Sequence, residues 1–465
     1  MKKPPSIKKL YFKDTSFANL MKKRIYNVLL IASNYDAFML EEDGRIDEQI
    51  FNEYHSLNLR YPPRFTLASN EETASELLQK LAFDLIIIMP NNDSIDTFDY
   101  TKRVKQKFPK LPIVLLTPFS QQITHRLKDE DLSAIDYVFS WLGNSDLLLA
   151  IIKLIEDSMN VEADVTSVGV QIILLVEDSV RFYSSFLPQV YKVIFTQSRS
   201  FMTEALNEHE QMLRMRGRPK VVLARTYEEA LLIYNRYRTH ILGVISDVDF
   251  PKNGAQTKLA GFELCQDIRI QDPFLPIILQ SSNSENYKLA ELLRSSFIDK
   301  NSKQIEVELR DAIIQKFGFG DFVFFNLQTG KEIAVCRNLK DLQNVIFSIP
   351  SDVLYNHLAH NDVSRWLCSR AMFPISEFLK QISMEHLKDV DEARQIIFDA
   401  IVHYRRIKNR GIIAVFQRDR FDNYSNFARI GDGSLGGKAR GLAFLDAMLK
   451  RNHNDMEYAN VEINI

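Results

Sequence analysis

Acidic side chains follow two short apolar runs near the middle of the chain. Glu177 and Asp178 come directly after the run Ile172 to Val176, and Asp247 follows the run Ile241 to Ile245 with one residue between. Runs of this length are typical of parallel strands buried on both faces. Because the carboxyl ends of such strands meet where open α/β sheets bind ligands, we expect the three carboxylates to lie together. Hard oxygen ligands of this kind suit Mg2+, which also takes phosphate oxygens.

Two later runs end in a hydroxyl group and an ammonium group. The run from Pro276 ends in Ser281, and the run from Ser296 ends in Lys300. A carboxylate can act as nucleophile toward phosphorus when a metal and a lysine neutralise the charge of the transferred group. The four strand ends together therefore predict phosphoryl transfer onto a carboxylate. For the acidic pair alone, loop residues or helix caps are the alternative.

This set resembles the receiver domain of two-component response regulators, a doubly wound α/β module that is phosphorylated on one aspartate. Pro251, four residues after Asp247, and the run Gly261 to Leu264, which opens the next helix, also match the family pattern. The resemblance implies Mg2+ as cofactor and a sensor histidine kinase or a small phosphodonor as the phosphoryl source. It implies these roles: phosphoacceptor Asp247; metal ligands Glu177, Asp178 and Asp247; switch hydroxyl Ser281; switch aromatic Phe297; phosphate-contacting lysine Lys300.

Two features depart from the family pattern. Asp178 and Asp247 are 69 residues apart, because a long helical stretch, 180–216, intervenes. Six extra residues also separate Pro251 from Gly261. Neither feature changes a site residue, but either could cover or reshape the site.

Residues 26–158, here called the first copy, repeat the pattern of residues 170–318, the second copy. Apolar runs of strand length alternate with helical patterns such as Glu71 to Leu81 and Ser145 to Met159. The predicted fold class is α/β, with two tandem doubly wound five-stranded parallel sheets. The five runs of the first copy are Tyr26 to Ala32, Arg64 to Ala68, Leu85 to Met89, Pro112 to Thr117 and Ile135 to Phe139.

The first copy lacks the residues that the chemistry needs. Ser33 and Asn34 stand in place of the acidic pair, Met89 in place of the phosphoacceptor and Ser140 in place of the lysine, while Thr117 keeps the hydroxyl. Since a methionine cannot accept a phosphoryl group, we predict a pseudo-receiver kept for packing or partner contact. Three aspartates follow Met89, and a solvated loop is favoured over a metal site for them: Asp93, Asp96 and Asp99.

From about Asp321 the pattern changes to a hairpin and a mainly helical module. Alternating runs flank Thr329 and Gly330, which predicts the hairpin. Trp366, Leu367 and Phe373 are the predicted core of the module. Its expected elements are strands Phe322 to Asn326 and Glu332 to Cys336 and helices Leu339 to Phe347, Ser351 to His360 with a cap at Ser351 and Asp352, Asn361 to Ser369 and Asp389 to Arg406.

His357 and His360 lie three residues apart, near Asp362 and Cys368. This spacing permits metal binding, but no third ligand stands at a fixed spacing. A polar helix junction is therefore the favoured interpretation.

A glycine-rich stretch precedes the last predicted helix. Gly431, Gly433 and Gly436 have the spacing of a dinucleotide fingerprint, yet no good strand leads into them. A Walker A motif is excluded, because Lys438 is followed by Ala439 rather than Ser or Thr. A glycine-rich linker before a surface helix is the plain alternative.

The stretch resembles the opening of the ATP-binding domain of phosphoenolpyruvate synthase and pyruvate phosphate dikinase. The resemblance implies that Gly436, Gly437 and Lys438 contact nucleotide phosphate, with Arg440 a weaker candidate. Physically, a glycine turn lets backbone N–H groups approach an anion at a helix start. The resemblance covers about the last 40 residues, and the chain ends 27 residues after Lys438. We therefore expect a truncated domain, residues after about Asp432 that are poorly ordered or packed adventitiously, and ATP binding only where that domain is complete.

Composition restricts the remaining choices. A length of 465 residues suggests about three domains, and 46% hydrophobic residues are ample for buried cores. The net charge of -2 gives no general attraction to nucleic acid, and no apolar run is long enough to cross a membrane. Three cysteines without metal-like spacing fit a reducing cytosol, so we expect a cytoplasmic protein without membrane or nucleic-acid partners: Cys265, Cys336 and Cys368.

The predicted organisation has five parts. They are a basic N-terminal segment, 1–25, interpreted as a solvated tail; the pseudo-receiver, 26–158; the phosphoacceptor receiver, 170–318; the hairpin and helical module, 319–425; and the start of a nucleotide-binding phosphotransferase domain, 426–465. The oligomeric state stays open, with a homodimer among the alternatives.

Three functions remain open. The leading one is a phosphorelay signalling module that regulates a fused phosphoenolpyruvate synthase-like phosphotransferase. The second is an ATP-dependent pyruvate phosphotransferase with accessory receivers, although no complete catalytic domain lies within these residues. The third is a scaffold that is never phosphorylated. A DNA-binding regulator ranks below these, because no basic helix-turn-helix follows Phe317.

Overall fold

The structure is a computed structural model, and most of the chain is described by it. The described residues are 17–41, 44–57, 59–90, 97–118, 130–143, 145–202, 214–382, 389–409, 413–416, 424, 427–431, 433 and 435–451. The lysines of the basic segment before Phe17, and Asp93 and Asp96 of the first copy, lie outside these residues.

The chain folds into two compact units. One consists of Asn19–Gln197 and Pro219–Lys316 and holds both copies of the predicted α/β pattern. The other consists of Met1–Ala18, Ser198–Arg218 and Phe317–Ile465.

The first copy forms a five-stranded parallel sheet in the order β2-β1-β3-β4-β5. The central strands are apolar and buried on both faces, as helices on either side of a parallel sheet require. Its strands are β1 Asn27–Ile31, β2 Arg64–Ala68, β3 Leu85–Ile88, β4 Ile113–Pro118 and β5 Tyr137–Trp141. Its helices are α1 Asn34–Leu40, α2 Ile46–Ser56, α3 Glu71–Lys80, α4 Thr97–Lys107 and α5 Asp146–Val168.

The second copy repeats this arrangement in the order β12-β11-β8-β6-β7, again with all five strands parallel. Numbered within each copy, both sheets have the doubly wound order 2-1-3-4-5, so the predicted fold class is confirmed. The strands are β6 Ile172–Val176, β7 Lys220–Ala224, β8 Ile241–Asp247, β11 Ile277–Ser281 and β12 Ser296–Asp299. The helices are α6 Val180–Met202, α7 Tyr227–Tyr237, α8 Ala260–Gln271, α9 Tyr287–Leu292 and α10 Ile305–Lys316.

A small antiparallel hairpin stands where the sequence has six extra residues between Pro251 and Gly261. Its strands are β9, Phe250–Lys252, and β10, Ala255–Thr257. Gly254 turns the chain between them with φ of 76°, in the left-handed region that glycine adopts without strain. The hairpin stands in the connection between β8 and α8, next to the carboxyl end of β8.

Helix α5 is nine residues longer than the sequence pattern predicts. Its second half is buried in the second copy, where Val161 and Val165 belong to the hydrophobic core. The Asp157 carboxylate accepts hydrogen bonds from the Tyr191 hydroxyl at 2.9 Å and the Val221 backbone N–H at 3.0 Å. The helix continues because it serves as a packing surface for both copies.

A buried ion pair ties α5 to the second sheet. Lys220 Nζ lies 3.2 Å from Asp164 Oδ2, and the two side chains are 0% and 2% exposed. Asp164 also accepts the Met21 backbone N–H. Charges buried this deeply require partners, so the pair constrains how α5 docks on β7.

The other compact unit contains the predicted hairpin and helices. Trp366 and Leu367 lie in one core with both hairpin strands, and Phe373 is buried as expected. Asp389 caps α15 through the Glu392 N–H, but the expected cap at Ser351 is wrong, since Pro350 holds the cap position without a side-chain bond. The elements are β13 Phe322–Phe325, β14 Glu332–Cys336, α11 Leu339–Val345, α12 Ser351–Ala359, α13 Asp362–Ser369, α14 Phe373–Lys380 and α15 Val390–Lys408.

The C-terminal region differs from the expectation at one point. A strand does lead into the glycine-rich stretch: β16, Phe427–Arg429, pairs in parallel with β15, Ile413–Val415. A regular helix, α16, then runs over Gly437–Arg451. The sequence pattern missed β16 because three residues are too few to show a period.

Among the described residues, no helix is long and apolar enough to span a membrane.

Breaking the buried ion pair should destabilise the unit that holds both copies. Lys220→Met leaves the Asp164 carboxylate buried without its cation, so we expect a loss of about 3 kcal/mol in the free energy of unfolding. The control is Lys80→Met, because Lys80 and Glu76 form an exposed pair whose loss should cost less than about 0.5 kcal/mol. Urea denaturation followed by circular dichroism measures both, and equal costs would contradict the structural role of the pair.

Candidate functional site

Three carboxylates converge at the carboxyl edge of the second sheet. Glu177 and Asp178 follow β6 directly, and Asp247 ends the neighbouring strand β8. Ligand oxygens of the three side chains all lie within 4.8 Å of one another. Within the described part of the chain, no other group of three or more Asp, Glu, His or Cys residues has this geometry. The sequence prediction of a carboxylate cluster is matched by the coordinates.

A lysine ammonium bridges two of these carboxylates. Lys300 Nζ lies 2.6 Å from Glu177 Oε2 and 2.7 Å from Asp247 Oδ2. It reaches them because β12 pairs with β11, and the Lys300 N–H donates to the Ser281 carbonyl at 2.9 Å. The Glu177 and Lys300 side chains are 0% and 2% exposed, so the ammonium compensates charge in a region with little water.

Burial changes the acid strength of the acidic pair. Desolvation raises the pKa of Glu177 to about 8, with the negative charge of Asp247 adding to the effect and Lys300 opposing it. The pKa of Asp178 is also raised, mainly by desolvation and then by Asp247. Crowded carboxylates with little solvent are typical of sites that bind a cation.

The hydroxyl and aromatic positions lie on the two neighbouring strands. Ser281 Oγ accepts hydrogen bonds from the Asn283 N–H at 3.1 Å and the Asn286 amide at 2.9 Å. Among the described residues, no hydrogen bond uses this hydroxyl as a donor, so the hydroxyl can donate a hydrogen bond to a ligand. Phe297 is half-buried and packs edge-on against Tyr287, with ring centroids 6.2 Å apart.

The loop after Asp247 is shaped by one glycine and by the hairpin. A Cβ on Gly261 would lie 2.1 Å from the Asp247 carbonyl oxygen, so only glycine fits this position. The Leu259 N–H donates to Asp249 Oδ1 at 2.9 Å, which fixes the loop. The Gln256 amide of β10 donates to the Asp249 carbonyl at 3.1 Å and weakly opposes the rise in the pKa of Asp178, so the hairpin lies beside the site.

The donor set fits Mg2+. Three carboxylates offer hard oxygen ligands at one edge, and Asp178 is only partly buried, which leaves room for water and phosphate oxygens. Neither histidine nor cysteine belongs to the group, so its chemistry does not favour zinc.

Two side chains near the site were missed by sequence reasoning. Gln280 pairs in register with Asp247, is fully buried, and its amide has no hydrogen-bond partner among the described residues. A polar residue inside the apolar run of β11 was the available signal. Phe182 places its ring centroid 4.1 Å from Lys300 Nζ. Nothing in the sequence indicates this contact, because Phe182 belongs to none of the motifs in this chain.

In the first copy, the positions that correspond to the site residues of the second copy make structural contacts. Ser33 caps α1 by accepting the Asp36 N–H, and Asn34 begins that helix. Met89 is buried, and the Thr117 hydroxyl donates to the Phe139 carbonyl at 3.3 Å. Ser140 donates its backbone N–H to Ser184 at 3.0 Å. Within its described residues, the first copy holds no metal-binding group.

Among the described residues, the two histidines of the helical module belong to no group of three or more metal-ligand side chains. His357 Nδ1 lies 2.8 Å from Asp362, and His360 lies 4.0 Å from the same carboxylate. Cys368 instead contacts the Ser376 hydroxyl at 2.6 Å. This arrangement agrees with a polar helix junction.

The glycine-lysine stretch lies at the start of α16. Gly436, Gly437, Lys438 and Arg440 are all exposed there, and the helix begins at Gly437. The order is therefore strand, glycine-rich connection and helix.

Similar known proteins were found among solved structures. No protein-family model matches the chain. No curated protein matches it either. Solved structures that are similar include the signal receiver domain of an HD domain-containing protein from Pseudomonas fluorescens Pf-5, 20% identical over 30% of this chain and 97% of that one, with a TM-score of 0.21.

Two longer structures are also similar. One is a probable two-component system response regulator/GGDEF domain protein, 13% identical over 62% of this chain and 96% of that one, with a TM-score of 0.27. The other is NtrX from Brucella abortus, 12% identical over 94% of this chain and 96% of that one, with a TM-score of 0.25. Because all these TM-scores are below 0.5, the fold assignment depends on the strand order.

Binding of Mg2+ should depend on pH through Glu177. The metal-free group keeps its proton up to a pH of about 8, whereas a metal ligand must be ionised. Apparent affinity should therefore rise by up to about tenfold per pH unit between pH 6 and 8 and then level off. Calorimetry in buffers of different ionisation heat should detect proton release at pH 7. A flat affinity across this range would contradict the raised pKa.

Proposed function

We propose that the second copy is a phosphoacceptor receiver that takes a phosphoryl group on Asp247. The observation that supports this most strongly is the Lys300 ammonium, held 2.7 Å from Asp247 and 2.6 Å from Glu177. A lysine in this position can neutralise charge on an incoming phosphoryl group. The donor is a sensor histidine kinase or a small phosphodonor such as an acyl phosphate.

Each residue has a step in the transfer. An Asp247 carboxylate oxygen attacks phosphorus, a new O–P bond forms, and the bond from phosphorus to the donor breaks and leaves its electron pair on the donor. Lys300 moves from the Asp247 carboxylate to the phosphoryl oxygens, and the Ser281 hydroxyl donates a hydrogen bond to one of them while keeping its proton. When bound by Glu177, Asp178 and Asp247, Mg2+ supplies further positive charge to the phosphoryl oxygens.

The first copy acts in this proposal as a pseudo-receiver without transfer chemistry. Buried Met89 supplies no nucleophile at the phosphoacceptor position. Its role is to pack against the second copy, through α5 and the edge of β5. The protein is thus a signalling module in which one of two receiver-like sheets is switched.

For the C-terminal region we infer the start of a nucleotide-binding phosphotransferase domain, similar to that of phosphoenolpyruvate synthase. The support is the order β16, glycine-rich connection, α16, with Lys438 exposed in the first helical turn. Backbone N–H groups at a helix start attract phosphate. Phosphorylation of Asp247 would then regulate a fused catalytic domain.

Phosphorylation is tested with Mg2+ and acetyl phosphate. Wild type should gain one acid-stable, base-labile phosphoryl group, and Asp247→Asn should gain none, because an amide does not form the acyl phosphate. The matched control is Asp249→Asn, two residues on, whose carboxylate bonds Leu259 rather than the lysine. Mass spectrometry of the intact proteins measures the yield. Equal labelling of wild type and Asp247→Asn would remove the assignment and favour the scaffold.

The glycine-lysine stretch is tested in the full-length protein by ATP titration. If Lys438 meets nucleotide phosphate, Lys438→Ala should weaken ATP binding by about tenfold or more, through loss of a charge-assisted bond. Arg440→Ala, on the same exposed turn, should have a smaller effect. Unchanged ATP affinity in Lys438→Ala would contradict the nucleotide-binding role and favour a glycine-rich linker.

A further inference from the structure

The Lys300 ammonium has a third neighbour besides its two carboxylates. The ring of Phe182, the third residue of α6, has its centroid 4.1 Å from Lys300 Nζ. This distance is well inside the range of a cation–π contact, which gains strength where water is excluded. The lysine side chain is 2% exposed, so the contact lies in such a region.

A lysine needs this kind of restraint more than an arginine does. Its ammonium is a point charge on a flexible stem, and the two carboxylates alone leave one side open. The Phe182 ring lies against the ammonium without offering a competing negative charge. The lysine can therefore move toward a phosphoryl group without first breaking a third ion pair.

The next two residues of α6 fasten it to the first copy. The Tyr183 hydroxyl donates to the Val138 carbonyl, and its ring packs edge-on against Phe139 with centroids 5.4 Å apart. Ser184 Oγ accepts the Ser140 N–H at 3.0 Å. Both Tyr183 and Ser184 are buried.

These contacts use the edge of the first sheet. Strand β5 is the last in the order of that sheet, so one row of its backbone groups has no strand partner. Residues two apart on a strand direct their backbone groups to the same side, as the groups of Val138 and Ser140 do here. Ser140 stands where a receiver has its lysine, and its backbone now anchors α6.

We propose that Phe182 is a positioning residue for Lys300, and that the first copy sets its place through Tyr183 and Ser184. The inference rests on the proposed phosphoacceptor function. It gives the pseudo-receiver a role in the reaction: its β5 edge fixes the first turn of α6, and that turn holds the ammonium against Asp247.

The first test compares Phe182→Leu with Phe182→Tyr under Mg2+ and acetyl phosphate. Leucine keeps an apolar side chain but lacks the ring face, so the maximal phosphorylation rate should fall about tenfold. The acetyl phosphate concentration at half-maximal rate and the Mg2+ affinity should stay unchanged. Tyrosine should restore the rate. The control is Phe186→Leu, since Phe186 stacks on Phe182 at 5.9 Å without being the ring over the lysine.

A second readout does not depend on phosphorylation. Protons on Lys300 Cε lie close to an aromatic ring, so their NMR signals in 13C-lysine-labelled protein should be shifted upfield by the ring current. Phe182→Leu should remove the shift, and Phe186→Leu should keep it. If wild type is never phosphorylated but the shift is present, the proposed function fails while the Phe182 contact stands. An absent shift in wild type overturns the contact itself.

The role of the first copy is tested with Tyr183→Phe, which removes only the hydroxyl bond to Val138. We expect the phosphorylation rate to fall about threefold, and no further fall when this change is added to Phe182→Leu, because both act through one contact. The control is Tyr191→Phe, which removes another buried hydroxyl bond of α6, to Asp157. A loss in Tyr191→Phe as large as in Tyr183→Phe, or full additivity in the double variant, would overturn the anchoring role.

Discussion

The Lys300 ammonium, buried between Glu177 and Asp247, is the interaction on which the rest of the site depends. Two carboxylates this close, in a region with little water, need a cation. The lysine supplies that charge, and burial at the same time raises the pKa of Glu177. The arrangement favours arrival of a second cation, which relieves the crowding of negative charge. Strand order explains why the lysine is there: β12 follows β11, which pairs with β8.

Buried polar contacts also explain why two copies share one compact unit. Helix α5 presents Asp157 and Asp164 to the second copy, where Asp157 accepts the Val221 N–H and Asp164 pairs with Lys220. Helix α6 of the second copy in turn contacts the first copy, because Tyr183 and Ser184 hydrogen-bond backbone groups at the outer edge of β5. The first copy is therefore joined to the second by buried polar contacts on two helices.

Much of the fold could be predicted because buried parallel strands leave long apolar runs. Strand Ile172–Val176 is buried throughout and has the predicted bounds, and the carboxylates, Ser281 and Lys300 lie at strand ends or directly after them as expected. The length of α5 and the strand β16 could not be predicted, since one depends on packing between copies and the other has only three residues. Phe182 and Gln280 carry no motif, and their importance appears only when the sheet brings Lys300 and Asp247 beside them. The sequence shows six extra residues after Pro251, but it does not show that they lie in a hairpin near Asp178.

A crystal structure with Mg2+ and a beryllofluoride phosphoryl analogue tests the central claim most directly. The account predicts the analogue on the Asp247 carboxylate, Mg2+ bound by Glu177, Asp178 and Asp247, and the Lys300 ammonium moved onto the analogue with Phe182 still beside it. An analogue bound elsewhere, or a Lys300 that keeps its contact with the Asp247 carboxylate and avoids the analogue, would contradict the account.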